Sequence, residues 1–322
     1  MISKAQWKNK SCLVLENRTI YLAVLPDLGA KIASLRYKPK DLELAAQCGE
    51  FYGDPPQGAD FSQYDASGID DVFPSVTPSR QTVNGHPVDY PDHGEIWTGH
   101  FSNITDKTNK TGETGDADKT DKTGDSLNLS FAGTLLPYHY HKRISLRDSR
   151  IILEYRITNT GDYEFPCIWL FHGLFRYEED MRLLYPPDTR TLVNVYGGGT
   201  LGEPGRRYNI NGGEYNFSAA PKRNTKSAEK YYIDGPVCSG NCGYYYPQSG
   251  VQVLLGFDKK VIPYLGFWVT AGGFRGDYNC AFEPTNGFYD DIETARQNHA
   301  LPRLGPGQTM SFSIVIEIGL IP

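Results

Sequence analysis

The sequence contains no stretch approaching the ~18 to 20 apolar residues that a membrane-spanning helix needs. Its first 25 residues are interrupted by Lys4, Lys8, Lys10, Glu16 and Arg18, so they lack the unbroken apolar core of a secretory signal. These absences predict a cytoplasmic protein with no membrane partner. Clustered cations are missing too: the formal net charge is -6 and no Lys/Arg stripe runs along the chain, which argues against nucleic acid, whose phosphates require such a stripe. Without an export signal the six cysteines read as free thiols rather than a disulfide set. Cys238 and Cys242 are spaced as CxxxC, but no second pair stands nearby to complete a tetrahedral zinc site. His139 with His141, and His93 with Glu95 and His100, also have no recognised metal-ligand spacing. No metal and no cofactor is expected.

What the sequence does have points to strands. Apolar residues make up 39% of the chain and charged ones 22%, enough to bury a core. The 22 Tyr suit pleated, half-buried surfaces, and the 34 Gly suit tight turns. The opening reads as a meander: strands over 11–16, 19–25 and 31–37, with a turn at Pro26-Asp27-Leu28-Gly29. Residues 52–91 are rich in Pro, Gly and Asp and predict long ordered loops over one end of a scaffold, where function is often carried. Residues 105–126 nearly repeat a Thr-Asx-Lys-Thr-Gly unit with Ala117 as the one apolar side chain, a hydrophilic insertion that can bury nothing.

Beyond it, 138–146 and 150–158 flank an Arg-Asp-Ser turn as a hairpin, and 165–171 is an apolar run short enough for a strand buried on both faces. Further strands fit 251–257, 264–270, 279–283 and 310–318. In the last, Met310, Phe312, Ile314, Ile316 and Ile318 alternate along one face. One short helical window covers 290–298. Many strands with regular turns and no linker predict a single domain over 1–322: all-β, a large antiparallel β-sandwich with few short helices.

Three segments put polar groups where patterning predicts burial or enclosure. In Tyr90-Pro91-Asp92-His93-Gly94-Glu95-Ile96-Trp97, His93 is either an idle loop histidine or part of a site; Trp97 favours the site, because an aromatic face beside polar groups is the usual way to hold a pyranose. His172 ends the apolar stripe of Ile168 and Leu170, either as a satisfied core histidine or as an imidazole at a cleft floor able to give up a proton near neutral pH. Glu283 shares a strand face with Ala281 and Asn279; a carboxylate among buried positions is either a structural ion pair or a general base. Asp70 and Asp71, with Lys31 and Arg80, are either loop charges or groups that bind sugar hydroxyls or a charged substituent.

The segments LPDLGAKIASLRY, GIDDVFPSV, YPDHGEIW, WLFHGLF, YLGFWV and NCAFEPTNG, in that order over roughly 25–306, resemble the aldose 1-epimerase, or galactose mutarotase-like, superfamily, and its mutarotase-related branch in particular. That resemblance implies the galactose mutarotase-like supersandwich and an isomerase acting on carbohydrate. It makes Glu283 the catalytic glutamate, His172 the general-acid histidine and His93 a second histidine that holds substrate; Trp97 and Asn279, from the reading of the residues themselves, are further candidates for binding substrate. Gly173 stands where better-known relatives have Pro, and Asp70, Asp71 and Asp234 are candidates for the substrate-binding aspartate.

The expected activity is interconversion of the α and β anomers of an aldose by acid/base ring opening. The expected partner is a monosaccharide or sugar derivative, met by a monomer or homodimer. Two alternatives stand beside it: a non-catalytic sugar-binding protein on the same scaffold, and a glycoside hydrolase or lyase in which Asp70 or Asp71 pairs with Glu283 across a glycosidic bond.

Overall fold

A computed structural model describes residues 2–64, 66–105 and 126–321. The hydrophilic insertion at 105–126 therefore lies outside the described residues except for its two ends. Two large antiparallel sheets dominate. The first has thirteen strands, and its main path runs Ile2–Trp7, Lys10–Glu16, Ile20–Leu25, Lys31–Tyr37, Ile69–Val72, Leu170–Gly173, Tyr278–Thr285, Tyr264–Ala271, Ala228–Ile233, Thr191–Asn194, Arg207–Asn209. The second has eight: Arg182–Leu184, Asn241–Tyr246, Val251–Phe257, Thr309–Leu320, Arg150–Asn159, Tyr138–Arg147, Ser126–Ala132, Ser102–Asn103. The chain thus forms the large antiparallel β-sandwich that the alternating patterns predict. No helix among the described residues is long and apolar enough to cross a membrane.

Period-2 patterning sets which face meets the core. In Thr309–Leu320 the stripe Phe312, Ile314, Ile316, Ile318 is buried. It stands opposite Tyr155, Leu153 and Ile151 on one side and Val253, Leu255 and Phe257 on the other. Each fully buried Ile contributes up to roughly 1.5 to 3 kcal/mol, so truncating Ile316 at the centre of the stripe would cost about 2 to 5 kcal/mol. The facing layer comes from the first sheet, where Phe171, Phe282, Phe267 and Tyr231 join the same core. Being on alternate positions, their neighbours His172, Glu283, Gly266, Trp268, Tyr232 and Lys230 are turned to the other face. That face carries the site.

Three expectations need correction. Residues 52–91 are not loop throughout: Ile69–Val72 is a strand inside the first sheet, and Ser79–Val83 pairs with His86–Tyr90 as a hairpin. The run 165–171 is not one strand: Phe165–Pro166 pairs with Arg303–Leu304, and a separate strand resumes at Leu170–Gly173. Pro166 has no N–H for a ladder, and between the two the backbone N–H groups of Cys167, Ile168 and Trp169 donate to Pro302, Pro74 and the Asn286 side chain. The helix is shorter than 290–298, spanning Ile292–Gln297, because Asp291 is its N-cap and accepts from the Thr294 N–H.

Candidate active site

Register places the candidate side chains. Leu170–Gly173 pairs with Ile69–Val72 so that His172 stands directly opposite Asp70. On its other side Leu170 faces Thr285 and Phe175 faces Cys280, a constant register that brings His172 level with Glu283. Glu283 in turn faces Gly266, and Gly266 faces Tyr232. Opposite residues on neighbouring strands share a face, so Asp70, His172 and Glu283 form one row across three strands.

Asp70 is only 2% exposed and lies between the Lys31 ammonium and the His172 imidazole: Lys31 Nζ at 3.2 Å from Oδ2 and His172 Nδ1 at 2.8 Å from Oδ1. Burial alone would raise the Asp70 carboxyl, but the Lys31 charge and the His172 hydrogen bond overcome it and hold it at about 2. An ionised Asp70 takes the Nδ1–H of His172, which leaves Nε2 as the atom free to exchange a proton. The next residue, Asp71, points the opposite way. It is paired with Lys142 at 2.7 Å and accepts from the Tyr155 hydroxyl at 2.9 Å inside the sandwich, where burial pushes its carboxyl up despite Lys142.

The loop after Tyr90 delivers the second histidine. His93 and Gly94 both have left-handed backbones, with φ of 56° and 70°. A Cβ at Gly94 would lie 2.0 Å from the Phe73 carbonyl oxygen, so only glycine fits. The turn is pinned to the preceding segment by His93 N–H to Val76 O at 2.8 Å and Glu95 N–H to Phe73 O at 2.9 Å. His93 Nδ1 meets Asp92 Oδ1 at 2.9 Å, and its ring stacks on Phe61 at 4.2 Å and stands 5.2 Å from the His172 ring. Burial works against the charge of Asp92, but the His93 hydrogen bond and charge prevail and lower its carboxyl.

At the opposite wall, Lys230 from Ala228–Ile233 lies 3.1 Å from Glu283 Oε2 and 2.8 Å from Asp290 Oδ2. Burial would lower its ammonium, yet Asp290 and Glu283 together raise it. Half-buried Trp268 has Tyr196 and Phe274 edge-on at 5.7 and 5.5 Å, and its indole N–H donates to Asn279 Oδ1 at 3.0 Å.

These groups enclose a cavity of 620 Å³ whose walls include His93, His172, Glu283, Asn279, Lys230, Asp290, Trp268, Tyr196 and Phe274. Of the residues singled out from sequence, the structure brings His93, His172, Glu283 and Asn279 to one cavity. Asp70 and Lys31 stand behind His172 rather than at the wall. Trp97 is 2% exposed and packs under Phe61 and Tyr64, so it braces the loop and does not face the cavity.

Arg80 is on the hairpin of Ser79–Val83 and His86–Tyr90, exposed beside Asp89, and Asp234 pairs with Arg207 at the surface. Neither reaches the cavity. His139 and His141 belong to the second sheet, in a separate groove with Arg143 and Arg156. Sequence reasoning missed Trp268, Lys230 and Asp290. Trp268 carried a usable signal: two positions from Gly266, it alternates with the core residue Phe267.

No protein family's sequence profile and no curated protein matches the chain. Solved structures do. The Slr1438 protein of Synechocystis sp. PCC 6803 superposes with a TM-score of 0.71 at 15% identity, over 98% of this chain and 99% of that one. A galactose mutarotase-like protein from Clostridium acetobutylicum gives 0.71 at 13% identity, over 100% and 99%. A galactose mutarotase related enzyme from Lactobacillus acidophilus gives 0.69 at 14%, over 96% and 97%. The chain has the galactose mutarotase-like fold.

Proposed function

We propose that the protein is an isomerase that interconverts the α and β anomers of a free aldose in the cavity between His172 and Glu283. The observation that carries this reading is the row Asp70–His172–Glu283: an imidazole whose Nδ1 is committed to a buried carboxylate, level with a second carboxylate on the adjoining strand, both at the wall of one cavity. Glu283, paired with the Lys230 ammonium, takes the proton of the anomeric hydroxyl. His172 gives the Nε2 proton to the ring oxygen as the C1–O5 bond breaks and its electron pair passes to O5, while C1–O1 becomes a carbonyl. Rotation about C1–C2 presents the other face. On reclosure O5 attacks C1, its proton returns to His172, and protonated Glu283 gives its proton back to O1. His93, fixed by Asp92 and Phe61, binds hydroxyls. Trp268 offers the flat face against which the C–H groups of a pyranose pack.

The substrate is an uncharged sugar on this reading, because Lys230 is the one Lys or Arg among the described lining residues and its charge is met by two carboxylates. A glycosidase arrangement built from Glu283 with Asp70 or Asp71 has no support, since Asp70 is behind His172 and Asp71 is inside the sandwich. Polarimetry or exchange NMR on freshly dissolved anomers of several aldoses tests the reading. Each positioned proton transfer is worth ~10² to 10⁴-fold, so Glu283→Gln loses about that much of the wild-type acceleration. A Glu283→Gln variant that keeps the full rate sinks the proposal, and sugar binding with no acceleration by the wild type marks a binding protein instead.

A further inference from the structure

Lys230 is a costly residue in its position. It is on a sheet interior strand with its side chain 13% exposed, and an ammonium so enclosed persists only with close partners. It has two: Glu283 Oε2 at 3.1 Å and Asp290 Oδ2 at 2.8 Å. Asp290 is itself held, by the Tyr232 hydroxyl on Oδ1, and it sits immediately before the Asp291-capped turn into Ile292–Gln297. Tyr232 is two residues from Lys230 on the same strand and stands opposite Gly266, which faces Glu283. A Cβ at Gly266 would lie 3.0 Å from the Tyr232 ring and 3.3 Å from Glu283 Oε2, so any larger residue would push into this arrangement. The chain Tyr232–Asp290–Lys230–Glu283 therefore anchors one carboxylate oxygen of Glu283 to the rim of the cavity, much as Lys31–Asp70 anchors Nδ1 of His172 on the other side of the row.

We infer that Lys230 is a positioning residue for the proposed isomerisation: it fixes the Glu283 carboxylate by one oxygen and, with Asp290 and Tyr232, sets the orientation in which that carboxylate meets the anomeric hydroxyl. The inference rests on the isomerase reading. It differs from a purely structural ion pair in its signature. A positioning residue acts through Glu283, so its removal lowers kcat with little change in KM, and the loss disappears when Glu283 is already disabled.

The test is a double-mutant cycle on the full-length protein with the aldose that the wild type turns over fastest, followed by polarimetry. Lys230→Met should lower kcat by about 10- to 100-fold, the scale of a displaced reacting group. Lys230→Arg, which keeps a cation, should recover part of the loss. Lys230→Met in the Glu283→Gln background should change nothing further. Asp290→Asn, which leaves Lys230 and Glu283 in place but removes the second anchor, should lower kcat less than Lys230→Met and serves if that variant does not fold. Losses that multiply in the double variant, or an Asp290→Asn protein with wild-type kcat, overturn the inference while leaving the isomerase reading intact. A wild type that accelerates no anomer exchange overturns both.

Discussion

Replacing Asp70 with Asn removes one charge and almost no volume, so it isolates what the carboxylate contributes. In the wild type the carboxyl is held at about 2 against an ordinary value of 3.8, because burial, which opposes ionisation, is outweighed by the Lys31 ammonium and the His172 hydrogen bond. The side chain is 2% exposed, so solvent does not screen the effect. That depression corresponds to about 2 to 3 kcal/mol of folding free energy. The folded-state value lies below the unfolded one, so the contribution is complete above pH ~4 and is lost as the pH falls through ~2.

Urea denaturation should show Asp70→Asn less stable than the wild type by about 2 to 3 kcal/mol at pH 7. The gap should narrow below pH ~4 and largely close near pH ~2. Lys31, 1% exposed, is the partner that loses this carboxylate, and that loss is already contained in the figure because its charge is a main cause of the depression. Activity should fall about 10²-fold or more, because Asn neither stabilises the imidazolium of His172 nor fixes the proton on Nδ1. A stability gap unchanged between pH 7 and pH 2.5, or a variant with undiminished kcat, would refute the reasoning.

Two tryptophans separate the proposed sugar platform from a structural brace. Trp268→Ala should raise KM by about 3- to 10-fold in steady-state polarimetry, the equivalent of a lost aromatic contact, with kcat less affected. Trp97→Ala should instead destabilise the fold by about 3 to 5 kcal/mol in chemical denaturation, as a buried ring removed from beneath Phe61. Gly94→Ala forces a methyl group against the Phe73 carbonyl in a left-handed backbone. The conformation alone costs roughly 1 to 2 kcal/mol, and the clash displaces His93, so calorimetry should show weaker sugar binding together with a lower Tm.

Local patterning made much of this molecule legible. Alternation in 310–318, the hairpin at 138–158 and the strand at 264–270 follow from a period-2 code that any half-buried strand must obey. The motifs around His93, His172 and Glu283 were visible because each places an ionisable group at the end of an apolar or loop pattern. The same code shows why only one of Asp70 and Asp71 can lie on the sheet face that carries His172 and Glu283, but not which, since that depends on which face of the strand meets the second sheet.

The sequence by itself determined the all-β class, most central strands, and the three ionisable residues that end up on one cavity. Tertiary structure alone decided their partners: Asp70 behind His172, Asp92 beside His93, Lys230 and Asp290 beside Glu283, and Trp268 in place of Trp97 at the wall. The reason is physical. A strand's face is a local property of its residues, whereas its neighbours across a sheet are fixed by register between segments as far apart in the chain as residues 70, 172 and 283, and no short-range pattern encodes that register.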